Sequence, residues 1–129
     1  MVSFGGMRHI HLKVRDIERS ARFYEHGFGM QRVMSKHDGQ MVILSTPGSG
    51  DVLTLSEGSI GADVDAGVGR VGDNGGIDHF GFTLDNQREC DAAVDQLVAA
   101  GATLIRKSEL GPGWPTAFLR DPDGYAFQI

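Results

Sequence analysis

The sequence predicts an α+β fold made of two tandem βαβββ modules, and three observations lead to this prediction. Two segments carry apolar residues at helical spacing, and eight shorter segments have the composition and the turn-rich borders of strands. The order of one strand, one helix and three strands occurs twice along the chain. A shift of 70 residues aligns His9 with His79, and a shift of 74 aligns Thr54 with Gln128. The chain is therefore predicted to use one structural unit twice.

The two predicted helices are amphipathic and have recognisable ends. The first follows Asp16, a residue type favoured at N-caps, and Gly27 and Gly29 are its predicted stop. The second follows Asn86, with Glu89 three positions later in the spacing of a capping box, and ends at Gly101. The apolar sides of both helices are available to cover the apolar faces of the strands.

The predicted strands are short and are bounded by glycine, proline, aspartate or serine. They cover residues 9–14, 31–36, 41–45, 51–56, 79–84, 103–108, 116–120 and 125–129. Module one then spans about 7–57 and module two 77–129, joined by the glycine-rich segment 58–76. A plain flexible linker is the simpler interpretation of this segment, and a lid over a site is the alternative.

Length and composition indicate one ordinary globular domain over residues 1–129. The net charge of −5, without a cluster of lysine and arginine, argues against nucleic acid as a partner. No segment has the apolar length of a signal peptide or a membrane span, and the single cysteine, Cys90, cannot form an internal disulfide. We therefore expect a cytoplasmic protein with no membrane partner.

Alternation along the strands gives each strand an apolar and a polar face. The polar faces share one surface, formed by His9, His11, Lys13, Thr54, Ser56, His79, Thr83 and Gln128. This surface is a concave pocket if the sheet curls, and the solvent side of an antiparallel sheet if it stays flat. Spacing assigns six aromatic residues to the core, namely Tyr24, Phe28, Phe80, Phe82, Phe118 and Phe127.

Three histidines on one polar surface indicate a metal site, because neutral imidazole is the commonest protein ligand for transition metals. A single histidine in a strand is more often a solvated or hydrogen-bonded residue. The equivalence of His9 and His79 in the two modules strengthens the metal interpretation, because pseudo-symmetry brings equivalent positions around one centre.

Three motifs in this order resemble the vicinal oxygen chelate superfamily, which includes glyoxalase I, extradiol dioxygenases, fosfomycin-resistance enzymes and bleomycin-resistance proteins. They are "HIHLKVRDIERSARFYEHGFGM", "IDHFGFTL" and "FLRDPDGYAFQI", and the match runs from about Met7 to Ile129. The resemblance implies a curved mixed sheet, a cup with the helices on its convex side. It also implies that His9 and His79 are metal ligands, with Gln128 where the family has a ligating glutamate.

Two positions depart from the family's pattern. Gln128 and Thr54 stand where glyoxalase I has carboxylates, and neither side chain titrates usefully, so glyoxalase I itself is not expected. The resemblance implies a divalent Zn, Ni, Co, Mn or Fe ion that chelates vicinal oxygens of a small substrate, in lyase, isomerase or dioxygenase chemistry. Two histidines and a neutral amide leave the charge of the ion uncompensated, which favours an anionic substrate.

Further expectations concern the rest of the cup. His11 is the candidate base because its imidazole has an ordinary pKa near neutrality, and a solvated histidine is the alternative. The alternative function is a metal-free binding protein of the bleomycin-resistance type, in which Trp114 stacks on the ligand. Proteins of this size in the superfamily are commonly homodimers, some with sites shared between chains. The remaining cavity-lining residues are Lys13, Thr54, Ser56 and Thr83.

Overall fold

Two four-stranded sheets and two helices make up the fold in the computed structural model, which describes residues 1–3, 5–57, 70–73, 75 and 77–129. The first half contains β1 (His9–Lys13), α1 (Ile17–Phe28), β2 (Gln31–Lys36), β3 (Met41–Ser45) and β4 (Val52–Ser56). The second half contains β5 (Phe80–Gly81), a 3-10 turn (Gln87–Glu89), α2 (Cys90–Ala100), β6 (Thr103–Gly111), β7 (Trp114–Arg120) and β8 (Ala126–Gln128). The predicted linker or lid at 58–76 lies largely outside the described residues.

The two sheets have the same topology. The strand order is β1-β4-β3-β2 in the first sheet and β5-β8-β7-β6 in the second. In each sheet the first two neighbours are parallel and the others are antiparallel. The predicted α+β fold of two βαβββ units is therefore confirmed, with the hydrogen bonds divided between two mixed sheets.

Both predicted cap residues bind the backbone that follows them. Asp16 accepts a hydrogen bond from the backbone N–H three residues later at 3.0 Å, and α1 ends at Gly29 with a φ of 71°. Gly27 does not stop the helix but lies buried within it. Asn86 accepts from the backbone N–H two residues later at 3.1 Å and so caps the 3-10 turn. Glu89 makes no side-chain cap bond, so the predicted capping box does not form. In the described part of the chain, no helix is long and apolar enough to cross a membrane.

β5 is shorter than the strand predicted over 79–84. Its partner β8 offers three residues, and the register pairs Gly81 with Gln128. One further hydrogen bond, from Phe82 N to Gln128 O at 2.9 Å, ends the pairing. A strand at the edge of a sheet has a single neighbour, so its length is limited by that neighbour.

The core lies between the helices and the two sheets. α1 packs on β3 and β4, and its aromatic side chains also reach the second half, with the ring centroids of Phe28 and Phe82 4.0 Å apart. α2 is tied to α1 by a hydrogen bond from Gln96 Nε2 to Gly27 O at 2.8 Å. Of the aromatic residues predicted to be core, all but Phe118 belong to the buried cluster or pack against it.

A buried polar contact fastens the turn before β8 to α1. Asp121 and Asp123 are 4% and 5% exposed. Tyr24 Oη donates to Asp121 Oδ2 at 2.7 Å, and Ser20 Oγ donates to Asp123 Oδ2 at 2.8 Å. Arg19 Nη2 pairs with Asp123 Oδ1 at 2.8 Å. Burial raises the pKa of Asp121, and burial together with this carboxylate raises the pKa of Tyr24.

Candidate functional site

β8 presents Gln128 to the open face of the second sheet. Phe127 is fully buried, and Ile129 exchanges backbone hydrogen bonds with Ala117 at 3.0 and 3.1 Å. Because side chains alternate along a strand, Gln128 lies on the face opposite to Phe127. Its register partners are Gly81 on β5 and Phe118 on β7. The polar side of the closing strand therefore faces as its sequence predicts.

His79 and Gln128 form one side-chain pair on this face. His79 Nε2 lies 3.1 Å from Gln128 Oε1, and His79 Nδ1 lies 2.5 Å from Asp78 Oδ1. In the tautomer that carries its N–H on Nδ1, the His79 imidazole donates to the Asp78 carboxylate. The lone pair on Nε2 and the lone pairs on the amide oxygen then point toward each other.

Two comparable pairs stand on the face of the first sheet. His9 Nε2 lies 2.7 Å from Thr54 Oγ1, and His11 Nε2 lies 2.7 Å from Ser56 Oγ. Thr54 and Ser56 are 3% and 2% exposed, whereas both imidazoles belong to exposed residues. Parallel pairing of β1 with β4 places these side chains on one face, so both imidazoles lie on the same side of β1.

The structure brings His9 to Thr54 and His79 to Gln128, each pair within its own sheet. Across the described ranges, no hydrogen bond or ring contact joins one pair to the other. Nor, in those ranges, do three histidine, cysteine, aspartate or glutamate side chains converge. The assignment of His9, His79 and Gln128 to one metal centre therefore stays a prediction.

The other predicted site residues lie on or beside the strands of both sheets. Lys13 is half-buried in β1, and its carbonyl accepts a hydrogen bond from Tyr125 Oη at 2.7 Å. Thr83 is exposed and lies beyond the end of β5. Trp114 begins β7 and is 52% exposed. The roles of all three as cavity-lining residues stay predictions.

Two residues beside His79 are absent from the predicted site. The ring of Phe118 meets the His79 ring edge to face, with centroids 4.9 Å apart. The guanidinium carbon of Arg106 lies 4.6 Å from the centroid of Phe118. Register pairs Arg106 with Phe118 and Phe118 with Gln128, so all three lie on one face.

The core role predicted for Phe118 is wrong. Ala117 and Leu119 are fully buried, so alternation turns the residue between them to the opposite face, where it is half-buried. The pairing of β7 with β8 indicates the correct face of Phe118, because Phe118 lies opposite the polar residue Gln128. Arg106 had no comparable signal, because it lies in a strand whose residues are nearly all exposed.

The donor atoms of these pairs fit a divalent cation. Imidazole nitrogen, amide oxygen and hydroxyl oxygen are all neutral ligands of first-row metals. Adjacent ligands at right angles, each about 2.1 Å from a metal, lie about 3.0 Å apart. The 3.1 Å between His79 Nε2 and Gln128 Oε1 matches that separation.

Comparison with known proteins gives the chain its relatives. The sequence profile of the Glyoxalase/Bleomycin resistance protein/Dioxygenase superfamily matches residues 6–129. A probable lactoylglutathione lyase from Vibrio parahaemolyticus is 29% identical over 99% of this chain and 91% of its own length. A putative lactoylglutathione lyase from Brassica oleracea is also 29% identical over 94% of this chain, which spans only 42% of that longer protein.

Solved structures agree with this match. A glyoxalase/bleomycin resistance protein/dioxygenase family enzyme from Burkholderia phytofirmans has 26% identity and a TM-score of 0.72, covering 94% of each chain. A mutant of the fosfomycin resistance protein FosX from Listeria monocytogenes, complexed with Mn(II) and 1S,2S-dihydroxypropylphosphonic acid, has a TM-score of 0.72. It covers 98% of this chain and 89% of its own, and at 17% identity it shows the fold alone.

Proposed function

Because the chain belongs to the Glyoxalase/Bleomycin resistance protein/Dioxygenase superfamily, we propose that it is a metal-dependent enzyme acting on a small anionic substrate with vicinal oxygens. His9, His79 and Gln128 would hold the divalent cation. Relatives named as lactoylglutathione lyases support enzymatic activity in general, at identities of 28–29%.

One observation carries the proposal, namely the 3.1 Å contact between a histidine nitrogen and an amide oxygen in the second sheet. In the tautomer that donates from Nδ1 to Asp78, His79 Nε2 and Gln128 Oε1 are both acceptors, 3.1 Å apart. Two lone pairs in contact repel unless a proton or a cation lies between them. A cation removes the repulsion and uses both donors, which supports a metal at this pair.

The location of the two histidine pairs bears on the assembly. His9 with Thr54 belongs to the first sheet and His79 with Gln128 to the second. We propose a homodimer in which the His9–Thr54 pair of one chain and the His79–Gln128 pair of the other chain together form one metal site. Truncation of the 58–76 segment tests this. If the two chains exchange modules and need the length of this segment to do so, the truncated protein should lose its dimer peak on size exclusion.

The remaining side chains supply the acid–base part of the proposal. When bound, a divalent cation would act as a Lewis acid and lower the energy of an oxyanion or enolate. His11 is the proposed base, and the Ser56 hydroxyl at 2.7 Å fixes the orientation of its ring. Thr54 lies beside His9 and cannot transfer a proton near neutral pH. We therefore propose a lyase, isomerase or dioxygenase reaction other than that of lactoylglutathione lyase.

The first experiment measures bound metal. Protein purified untagged and without chelators is analysed for Zn, Ni, Co, Mn and Fe, and reloaded with each after dialysis. We expect close to one ion per chain in the wild type, little in a His9→Ala, His79→Ala double variant, and at least about tenfold tighter binding in Gln128→Glu, since a carboxylate offsets the charge of the ion. No bound metal under any loading condition would overturn the proposal.

The second candidate function is metal-free ligand binding of the bleomycin-resistance type. Its supporting observation is that Gln128 has a donor as well as an acceptor on its amide, and turning the amide over directs an N–H to His79 Nε2. That arrangement closes the hydrogen bond without a cation. Failure of the metal experiment, together with small-molecule binding that survives in the double histidine variant, would favour this function.

A further inference from the structure

A charged side chain extends the His79–Gln128 pair along the second sheet. The Phe118 ring contacts His79 at a centroid distance of 4.9 Å, and the Arg106 guanidinium carbon lies 4.6 Å from the Phe118 centroid. The sum of these two distances places Arg106 Cζ no more than 9.5 Å from the His79 ring centroid. A guanidinium therefore lies within the length of a small organic acid from the proposed metal ligands.

A ring contact orients the Arg106 guanidinium, and no carboxylate among the described residues neutralises its charge. In the described part of the chain it forms no ion pair, although its neighbour Lys107 pairs with Asp91 at 2.8 Å. Arg106 lies instead over the ring of Phe118, and such contacts orient a guanidinium while leaving its N–H groups free to donate. In a chain of net charge −5, a cation that pairs with no described carboxylate is suited to bind an external anion.

The fold does not require an arginine at this place. The first sheet has an equivalent row, in which Thr54 pairs with Ile43 and Ile43 pairs with Met34. Both rows are aligned by a register shift, before Met34 in the first sheet and before Arg106 in the second. Such a bulge re-aims the side chain that follows it. The same type of register shift is thus followed by an apolar side chain, Met34, in the first sheet and by a cation, Arg106, in the second.

We propose that Arg106 binds a carboxylate of the substrate whose vicinal oxygens bind at His79 and Gln128, and this rests on the proposed function. A guanidinium and a carboxylate match through two parallel hydrogen bonds, which fix the orientation of the acid as well as its charge. The substrate class is then an organic acid with a second carboxylate a few carbon atoms from the chelating oxygens. Arg106 is a specificity-determining residue for that class.

The test compares two 2-oxo acids on metal-loaded protein by titration calorimetry. Pyruvate has only the chelating oxygens, and 2-oxoglutarate adds a distal carboxylate. We expect the wild type to bind 2-oxoglutarate more tightly by about tenfold or more, as for a charge-assisted bidentate contact. Arg106→Met installs the side chain of the first sheet, and it should abolish this preference while leaving pyruvate affinity and metal content unchanged. Lys107→Met, a matched loss of charge on the same strand, should retain the preference.

Metal-free protein separates this proposal from the proposed function. Glutarate and butyrate differ in the distal carboxylate and have no vicinal oxygens, so they report on Arg106 without a metal. A glutarate preference that disappears in Arg106→Met would support the arginine subsite even if no metal is bound. Equal affinities within each pair of acids for the wild type, or a preference that Arg106→Met retains, would overturn it.

Discussion

Replacement of Tyr24 by phenylalanine tests the buried contact that fastens β8 to α1. Tyr24 Oη donates to Asp121 Oδ2 at 2.7 Å, and neither residue is more than 4% exposed. Asp121 Oδ1 keeps its bonds to the backbone N–H groups of Asp123 and Tyr125, each 2.9 Å, but Oδ2 would lose its donor. Because the substitution removes one oxygen and leaves no large cavity, the cost is that of a hydrogen bond to a buried charge, about 2–3 kcal/mol.

The pH dependence of this cost follows from the Asp121 carboxyl. Burial raises its pKa, while the hydrogen bond from Tyr24 lowers it, so Tyr24→Phe raises the pKa further. A raised pKa in the folded state favours folding at low pH, and that stability is lost as pH rises through the raised value. The deficit of Tyr24→Phe should therefore be largest at neutral pH and should shrink when Asp121 becomes protonated.

Urea unfolding followed by circular dichroism at pH 7 and at a pH low enough to protonate Asp121 measures both effects. Tyr125→Phe is the matched control, because Tyr125 Oη donates to the neutral Lys13 carbonyl at 2.7 Å. It should cost about 1 kcal/mol with no change between the two pH values. Equal deficits for the two tyrosine variants, or a Tyr24→Phe deficit that is the same at both pH values, would refute the reasoning.

Two further predictions concern backbone strain and thiol reactivity. Gly72→Ala should lower the free energy of unfolding by about 1–3 kcal/mol in urea, because φ is +86° and a Cβ would collide with the Asp123 carbonyl. Gly124→Ala is the control, and it should cost about 1 kcal/mol because φ is +98° but the space around its Cβ is open. Similar losses in both variants would remove the collision from the explanation. Cys90 is 2% exposed, and burial raises the pKa of its thiol. Ellman's reagent should therefore react far more slowly with folded protein than with urea-unfolded protein. Equal rates would contradict the burial of Cys90.

The fold was predictable where local signals and tertiary packing agree. Asp16 and Gly29 begin and end α1 through the hydrogen bond and the positive φ that their residue types favour. The strand predicted over 79–84 is too long, because apolar alternation indicates which side chains are buried and not how many residues find a hydrogen-bonding partner strand. The β8 partner has three residues, and that limit is a property of another part of the chain. The capping box failed for a related reason, since a 3-10 turn separates Asn86 from α2.

The candidate site was predictable as a face but not as a set of contacts. Alternation gives the side on which His9, His79 and Gln128 lie, and the structure adds which acceptor or donor each one meets. Spacing alone assigns Phe118 to the core, although an aromatic residue between two apolar neighbours is compatible with either face. Register removes the ambiguity, since the pairing of β7 with β8 puts Phe118 opposite Gln128. Register is a long-range property, which a single sequence specifies only weakly.

The internal repeat provides a comparison within one molecule that separates fold from function. Thr54 and Gln128 occupy equivalent places next to a histidine, and Met34 and Arg106 occupy equivalent places after a register shift. Because the two sheets have the same strand topology and a register shift at equivalent places, the differences between these side chains do not arise from the fold. The first sheet supplies imidazoles paired with buried hydroxyls, and the second supplies an imidazole, an amide and a cation. Chemistry at the two faces is therefore divided, and a substrate that uses both would be bound in one orientation only.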